Sequence, residues 1–495
     1  MRRSVRSIGD TVALRMPSGR QPWWQRAVLY QVYVRSFADS NGDGVGDLRG
    51  LIEKLDYLEW LGVDCVWLSP VTPSPDRDWG YDVADYRAVQ PVFGSMDDLD
   101  ELIADAHGRG MKIVLDFVPN HTSDHHPWFQ QSRASRDNAR RDWYVWRDPK
   151  PDGSPPNNWR SSFGGGPAWG LDPATGQMYL HSFLPAQVDL DWWNEHVRAE
   201  FDDIFRFWLD RGVAGFRLDV AHAIVKDREL RDRPENSDAD VVVDLDETFA
   251  VLRRWRSVVD TYEEPRILLG ETWVMQLERW AGFYGSGEDQ LHLAFNFPFT
   301  FSPLEAAALR DLVAETVAAL PEAAWPVWTL SNHDIPRFPT RMCGGDPRKI
   351  RCALLALLTL RGTPVLYYGD ELGLPQVAVP ESAVRDIAGR DGARTPMPWT
   401  DGAWANPWLP VGGGTTVEEQ RNDPDSILSF TRELIARRRA SSDLLAGDYE
   451  SLPAPPGVWA YRRGESTVVA LNLGDEPAAF GGRDLAPWEG AILDV

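Results

Sequence analysis

The chain has 495 residues and a hydrophobic fraction of 43%, enough for one large barrel and one or two smaller domains. Its formal net charge of −23 argues against nucleic acid or an anionic membrane surface as a partner, since both recruit basic protein surface. No apolar run reaches the roughly 18 residues that a membrane span needs. The three cysteines, Cys65, Cys343 and Cys352, are widely spaced and form no CxxC pair, which fits a reduced, cytoplasmic setting.

Residues 1–20 read as a disordered lead-in, and no apolar segment follows Arg2 and Arg3, so no signal peptide is expected. From Trp23 onward one pattern repeats: an amphipathic helix, a glycine, a buried strand, then a polar residue where the strand ends. Leu55–Pro70 is one copy. In a second, Leu99, Leu102, Ile103 and Ala106 recur at helical spacing behind Ser95, an N-cap with Asp98 at N3. In a third, Val197, Phe201, Ile204, Phe205, Trp208 and Leu209 form the stripe before Gly212. Eight strands are predicted, at Ala27–Val34, Asp64–Leu68, Lys112–Phe117, Gly215–Asp219, Ile267–Gly270, Leu291–Phe295, Val327–Leu330 and Val365–Tyr368. Strands alternating with helices in this way predict a parallel sheet closed into a (β/α)8 TIM barrel. The segment 122–187 is rich in Pro, Gly, Trp and Arg and lacks periodicity, so it reads as a subdomain inserted after strand three. A second insertion, Gly373–Thr416, follows strand eight, and Ile427–Ala440 reads as a last helix. Beyond 441 short alternating runs at Val458–Tyr461 and Thr467–Leu471 predict a C-terminal antiparallel β domain. The expected division is 21–121 and 188–440 for the barrel, 122–187 for the insert and 441–495 for the β domain.

Polar groups stand at or just beyond the predicted strand ends: Asp116, His121, Arg217 with Asp219, Glu271, and His333 with Asp334. Arg217 and Asp219 share one face of a strand and could form a structural salt bridge. Three acids at the ends of strands four, five and seven of one barrel should converge on its axis, however, and uncompensated acids there would be destabilising without a function. Two carboxyls flanking a glycosidic bond can hydrolyse it, one attacking or activating water and the other protonating the leaving oxygen. Crowding by carboxylates would keep the acid protonated, and Arg217 would keep its neighbour Asp219 ionised. Metal-assisted hydrolysis is the other chemistry of clustered acids, but it would want more His at ligand spacing. The 23 tryptophans are a weak further hint of sugar stacking.

DFVPNHTS (Asp116–Ser123), GFRLDV (Gly215–Val220), GETW (Gly270–Trp273) and SNHD (Ser331–Asp334) resemble the four ordered motifs of the α-amylase family of retaining glycoside hydrolases. The likeness is greatest to its α-glucosidase and oligo-1,6-glucosidase branch. VDLDWWN, GVDCVWLSP and GTPVLYYGDELG are also similar to family segments. The resemblance implies Asp219 as nucleophile, Glu271 as general acid/base and Asp334 as the acid that fixes the sugar hydroxyls. It places Arg217, His121 and His333 around the glucosyl subsite, and Asp78 and Tyr81 of DWGYD where that pocket closes. RDGARTPMPW (Arg390–Trp399) is similar to RDNARTPMQW of the branch, in which an arginine pairs with the pocket aspartate; Arg390 and Arg394 both fit that role, and Pro398 replaces the usual Gln. Val220 after the nucleophile implies a lean to α-1,6 over α-1,4 bonds.

The run Asp39–Asp47 starts like an EF-hand loop, but position twelve is Gly50, where an EF-hand needs Glu. A polar turn is one reading. The family resemblance favours the other, a structural Ca²⁺ held by Asp39, Asn41, Asp43, the Val45 carbonyl and Asp47, with no organic cofactor. The resemblance as a whole implies an exo-α-glucosidase acting on small α-glucosides by double displacement. A transglucosidase or sugar isomerase would use the same intermediate, though no RLDRD loop of the isomerases follows Asp334. A non-catalytic, transporter-subunit-like barrel is the distant alternative; it would lack a complete set of acids.

Overall fold

The computed structural model describes residues 21–234, 243 and 245–494, so the expected lead-in lies outside the described residues. Eight parallel strands form the central sheet: β1 Leu29–Val32, β2 Cys65–Leu68, β3 Lys112–Phe117, β4 Gly215–Leu218, β5 Ile267–Gly270, β6 Leu293–Ala294, β7 Val327–Thr329 and β8 Thr363–Tyr367. Their order is β6-β5-β4-β3-β2-β1-β8-β7, and a parallel bridge from Phe295 to Val327 joins the two outer strands. The sheet is thus an almost closed barrel. Several predicted strands are trimmed by a residue or more. The first gives way to a 3-10 turn at Val34–Ser36, and Asp219 lies one residue past β4.

The alternation of side chains along each strand decides what the barrel holds. Leu29, Cys65, Trp67, Val114, Ile267, Leu269, Leu293, Val327 and Val365 belong to one buried apolar cluster inside the barrel. Two residues further toward the carboxyl ends, the same parity brings Asp116, Arg217 and Glu271 inward. The register pairs Asp116 with Arg217, and Arg217 with Leu269. A Cβ on Gly215 would meet the Ile267 carbonyl oxygen at 2.2 Å, so β4 and β5 approach this closely only with glycine there.

The outer helices follow their apolar stripes. Met96–Gly108 starts at Ser95 with a capping box to Asp98 and buries Leu99, Leu102, Ile103 and Ala106. Glu195–Leu209 buries the expected stripe against the sheet. Among the described residues no helix is long and apolar enough to cross a membrane.

Within 122–187 lie the helix Pro127–Ala134 and a three-stranded sheet of Trp146–Arg147, Trp169–Leu171 and Met178–Leu180, with a small core of Val145, Trp159, Ala168, Trp169, Met178 and Leu180. A pairing of His121–Ser123 with Gln187–Asp189 ties the two ends of this segment together at the barrel mouth.

Past the helix Ile427–Ala440 comes a short helix, Ser442–Ala446, then an antiparallel sheet of β9 Tyr449–Leu452, β10 Val458–Arg463, β11 Thr467–Asn472 and β12 Glu489–Asp494. The central strands β10 and β11 do not alternate between buried and exposed as expected. One face packs on the helices Ala306–Ala319 and Pro347–Thr359, and the other is covered through Leu485 of a small hairpin. Arg463 of β10 ties the sheet to the barrel by donating to the Thr359 carbonyl, and to the Leu444 and Gly447 carbonyls.

Candidate active site

A cavity of about 510 Å³ opens at the carboxyl ends of the strands, where barrels of this kind keep their chemistry. Asp219, Glu271 and Asp334, from the ends of β4, β5 and β7, all line it, together with Asp78, Tyr81, His121, Val220 and Arg390. The three acids of the sequence reading therefore converge on one space.

Arg217 organises the acids from beneath. One of its amino groups donates to Asp116 and Asp219, each at 2.8 Å, and the other forms an ion pair with Glu271 at 2.9 Å. The structural salt bridge with Asp219 exists, but it is one arm of a wider network. Asp116 also accepts from Tyr81 at 2.9 Å and from Trp67 at 3.2 Å. Burial, outweighing Arg217, raises Asp116 to about 6. Burial and then the charge of Glu271 push Asp219 well above the usual carboxylate range, with Arg217 opposing them. Arg217 acts on Asp219 in the expected direction, favouring its charged form, while burial and Glu271 act against it.

Glu271 is held by two more donors, the Val220 N–H to Oε2 and the Trp273 indole N–H to Oε1, both at 2.9 Å. Val220 reaches that position with φ +49°, a left-handed conformation that a β-branched residue adopts only under strain of order 1–3 kcal/mol.

Asp334 faces different neighbours. Burial opposes its charge, yet His333, Arg390 and Arg394 together hold it well below the usual carboxylate range. Burial also keeps His333 from protonating, so the two guanidiniums supply the positive charge; each lies 3.0 Å from Asp334 Oδ1. Gln31 donates to His333 Nδ1 at 2.8 Å, which leaves Nε2 to carry the hydrogen toward Asp334 Oδ2 at 3.2 Å.

The sequence left open which arginine meets Asp78. Arg390 does: it bonds Asp78, Asp334 and, at 2.7 Å, Asp386. Arg394 instead turns inward to the His333 carbonyl at 2.8 Å and to Asp334. Arg217, His333 and Arg394 are fully buried and reach the cavity only through the acids they hold. His121 lines the cavity, and its Nε2 pairs with the Tyr81 carbonyl at 3.0 Å.

With this geometry in view, residues 31–447 match the model of the alpha-amylase catalytic domain. The chain belongs to the α-amylase family of glycoside hydrolases. It is 40% identical to a probable alpha-glucosidase of Rhizobium meliloti (strain 1021), covering 92% of this chain and 90% of that one. It is 37% identical to the oligo-1,6-glucosidase of Heyndrickxia coagulans, with 92% and 93% covered. Among solved structures, the alpha-glucosyl transfer enzyme XgtA superposes with a TM-score of 0.90 at 38% identity, over 96% of this chain and 99% of that one. As a member of a family of hydrolases with all three acids in one cavity, the chain is an enzyme, which removes the non-catalytic alternative.

Residues that sequence reasoning missed complete this family member's site. Gln187 donates to Asp78 at 2.8 Å, and Asp386 anchors Arg390. Trp273 stood in the quoted GETW motif but drew no role. Asp386 lies in an irregular insertion and had no signal.

The loop Asp39–Asp47 is a set of hydrogen-bonded turns. Asp39 accepts from the Gly42 and Gly44 N–H groups, Asn41 from Asp43, Asp43 from Val45, and Asp47 caps the next helix through Gly50. Among the described residues no three His, Cys, Asp or Glu side chains form a group that could hold a metal ion.

Proposed function

We propose that this enzyme is a retaining exo-α-glucosidase that releases α-glucose from short α-glucosides, with a preference for α-1,6 linkages. The observation that carries the reading is the convergence of Asp219, Glu271 and Asp334 on one cavity whose wall is bridged by Asp78 and Arg390. That bridge ties the loop after β2 to the loop after β8 and would stop a glucan chain from passing through. Asp219 attacks the anomeric carbon as Glu271 protonates the leaving oxygen, forming a glucosyl ester. Glu271 then takes a proton from water, which displaces the ester with a second inversion. Asp334, kept charged by two guanidiniums, receives the sugar hydroxyls and the positive charge that develops on the ring. The α-1,6 lean rests on Val220 and on the similarity to an oligo-1,6-glucosidase. Glucose release from isomaltose and from maltose, measured side by side, tests it. Faster isomaltose cleavage is expected; faster maltose cleavage discards the linkage, and release from neither discards the activity.

Transfer to a sugar hydroxyl in place of water is the second reading, favoured by the similarity to an alpha-glucosyl transfer enzyme. We also propose a cytoplasmic setting, which the three buried, unpaired cysteines support. A structural Ca²⁺ on Asp39, Asn41, Asp43, Val45 and Asp47 is a further proposal, supported by their alternating oxygens alone and outside the chemistry. Added Ca²⁺ should raise Tm over a chelated sample, and an unchanged Tm refutes it.

A further inference from the structure

The loop after β2 that carries Asp78 is strained, and it encloses a carboxylate with no part in the chemistry described above. Asp76 and Trp79, on either side of Arg77 and Asp78, have φ of +58° and +50°. Residues other than glycine adopt such left-handed values only where their surroundings impose them. Asp82 is wholly buried and stands outside the cavity lining. It accepts from three neutral donors: the Ser74 hydroxyl at 2.6 Å and the Arg77 and Asp78 N–H groups, each at 3.1 Å. Burial, opposed by these donors, raises its carboxyl to about 6, so at neutral pH both oxygens accept. Bonds to an ionised acceptor are about twice as strong as neutral ones.

These bonds leave the backbone of Asp78 little freedom. Its N–H goes to Asp82, and its carbonyl accepts from the Tyr81 N–H at 3.0 Å, so both groups are held inside one turn. Ser74 extends the restraint by accepting from the Asp76 N–H at 3.0 Å. Asp76 is tied in turn to Arg35 at 2.7 Å, whose guanidinium lies 5.2 Å from the centre of the Trp79 ring. From this fixed backbone the Asp78 carboxylate meets Gln187 and Arg390 at the cavity.

We propose that Asp82 is a positioning residue, whose carboxylate fixes the backbone of Asp78 so that the Asp78 side chain stands where the glucosyl unit binds. The inference rests on the α-glucosidase reading above. The test is a double-mutant cycle on kcat/KM for isomaltose, with wild type, Asp82→Asn, Asp78→Ala and the double variant. The amide keeps the shape of the carboxyl but turns an NH2 group toward a donor, so Asp82→Asn should lose about tenfold. In the Asp78→Ala background the same substitution should change kcat/KM by less than about twofold, because the side chain it positions is gone. A loss of the same factor in both backgrounds, as a merely structural role would give, or no loss in either, overturns the proposal. If Asp82→Asn does not fold, Ser74→Ala takes its place in the cycle; it keeps the carboxylate, removes one donor and should lose about fivefold. The same two outcomes then overturn the proposal. A wild-type enzyme that cleaves neither isomaltose nor maltose overturns the α-glucosidase reading and this inference with it.

Discussion

Replacing Arg390 by Ala removes one guanidinium from three carboxylates that converge on it. The side chains of Asp78 and Asp386 are 5% and 2% exposed, so neither regains full hydration when its partner is lost. Asp78 keeps the Gln187 amide, and Asp386 keeps the backbone N–H of residue 390 at 2.8 Å and Arg394 at 4.0 Å. Asp334 retains Arg394 at 3.0 Å. Removing one member of a buried ion pair costs about 3–5 kcal/mol. In a chain of this size that corresponds to a fall in Tm of roughly 3–10 °C, taking about 1–2 °C per kcal/mol. Asp78 and Asp334 would also lose their fixed positions, so KM for isomaltose should rise at least about tenfold, which needs only about 1.4 kcal/mol of that loss. Arg390→Lys should fall in between, because one ammonium serves a single carboxylate at a time. Thermal unfolding and steady-state glucose release measure both effects. An Arg390→Ala enzyme with unchanged Tm and a KM within about twofold of wild type would refute the bridging argument.

Val220→Thr should move the isomaltose-to-maltose ratio of kcat/KM toward maltose by at most about 1–3 kcal/mol, the range of one altered contact; an unmoved ratio takes Val220 out of linkage selection. Burial, against the pull of Arg337, raises Asp370 from 3.8 to about 7. A carboxyl whose folded value is raised binds more protons folded than unfolded, so its ionisation removes stability as pH climbs from about 4 to 7, by on the order of 4 kcal/mol in full. Asp370→Asn should therefore be more stable than wild type near pH 8, with the advantage shrinking toward pH 5 in thermal unfolding; a difference that does not change with pH contradicts this.

The barrel was legible because each strand is a short apolar run ended by a polar residue, and because the period of two carries Arg217 and Glu271 to the same face as Leu269. The insert was not. Its strands are two or three residues long, and its stability comes from contacts such as Arg141 stacked 3.5 Å over the Trp146 ring, which leave no periodic trace. The division of labour between Arg390 and Arg394 was hidden for a related reason. A 3-10 turn at Asp391–Ala393 separates them, and only tertiary contacts send one to Asp78 and the other into the barrel. The left-handed Val220 runs against its own backbone preference, and a local conflict of that kind at a functional residue is where sequence reasoning is expected to fail. The full balance at Asp219 was hidden because the Arg217 beside it in sequence was visible, whereas burial and Glu271 were not.

Double displacement through Asp219 fixes the anomeric form of the first glucose released. Proton NMR during the first minutes of isomaltose cleavage, before mutarotation, should show α-glucose accumulating ahead of β-glucose. The reducing-end glucose of isomaltose brings its own equilibrium share of β-anomer, so an early excess of β- over α-glucose beyond that share would mean a single inversion, and the assignment of Asp219 as a covalent nucleophile would be wrong.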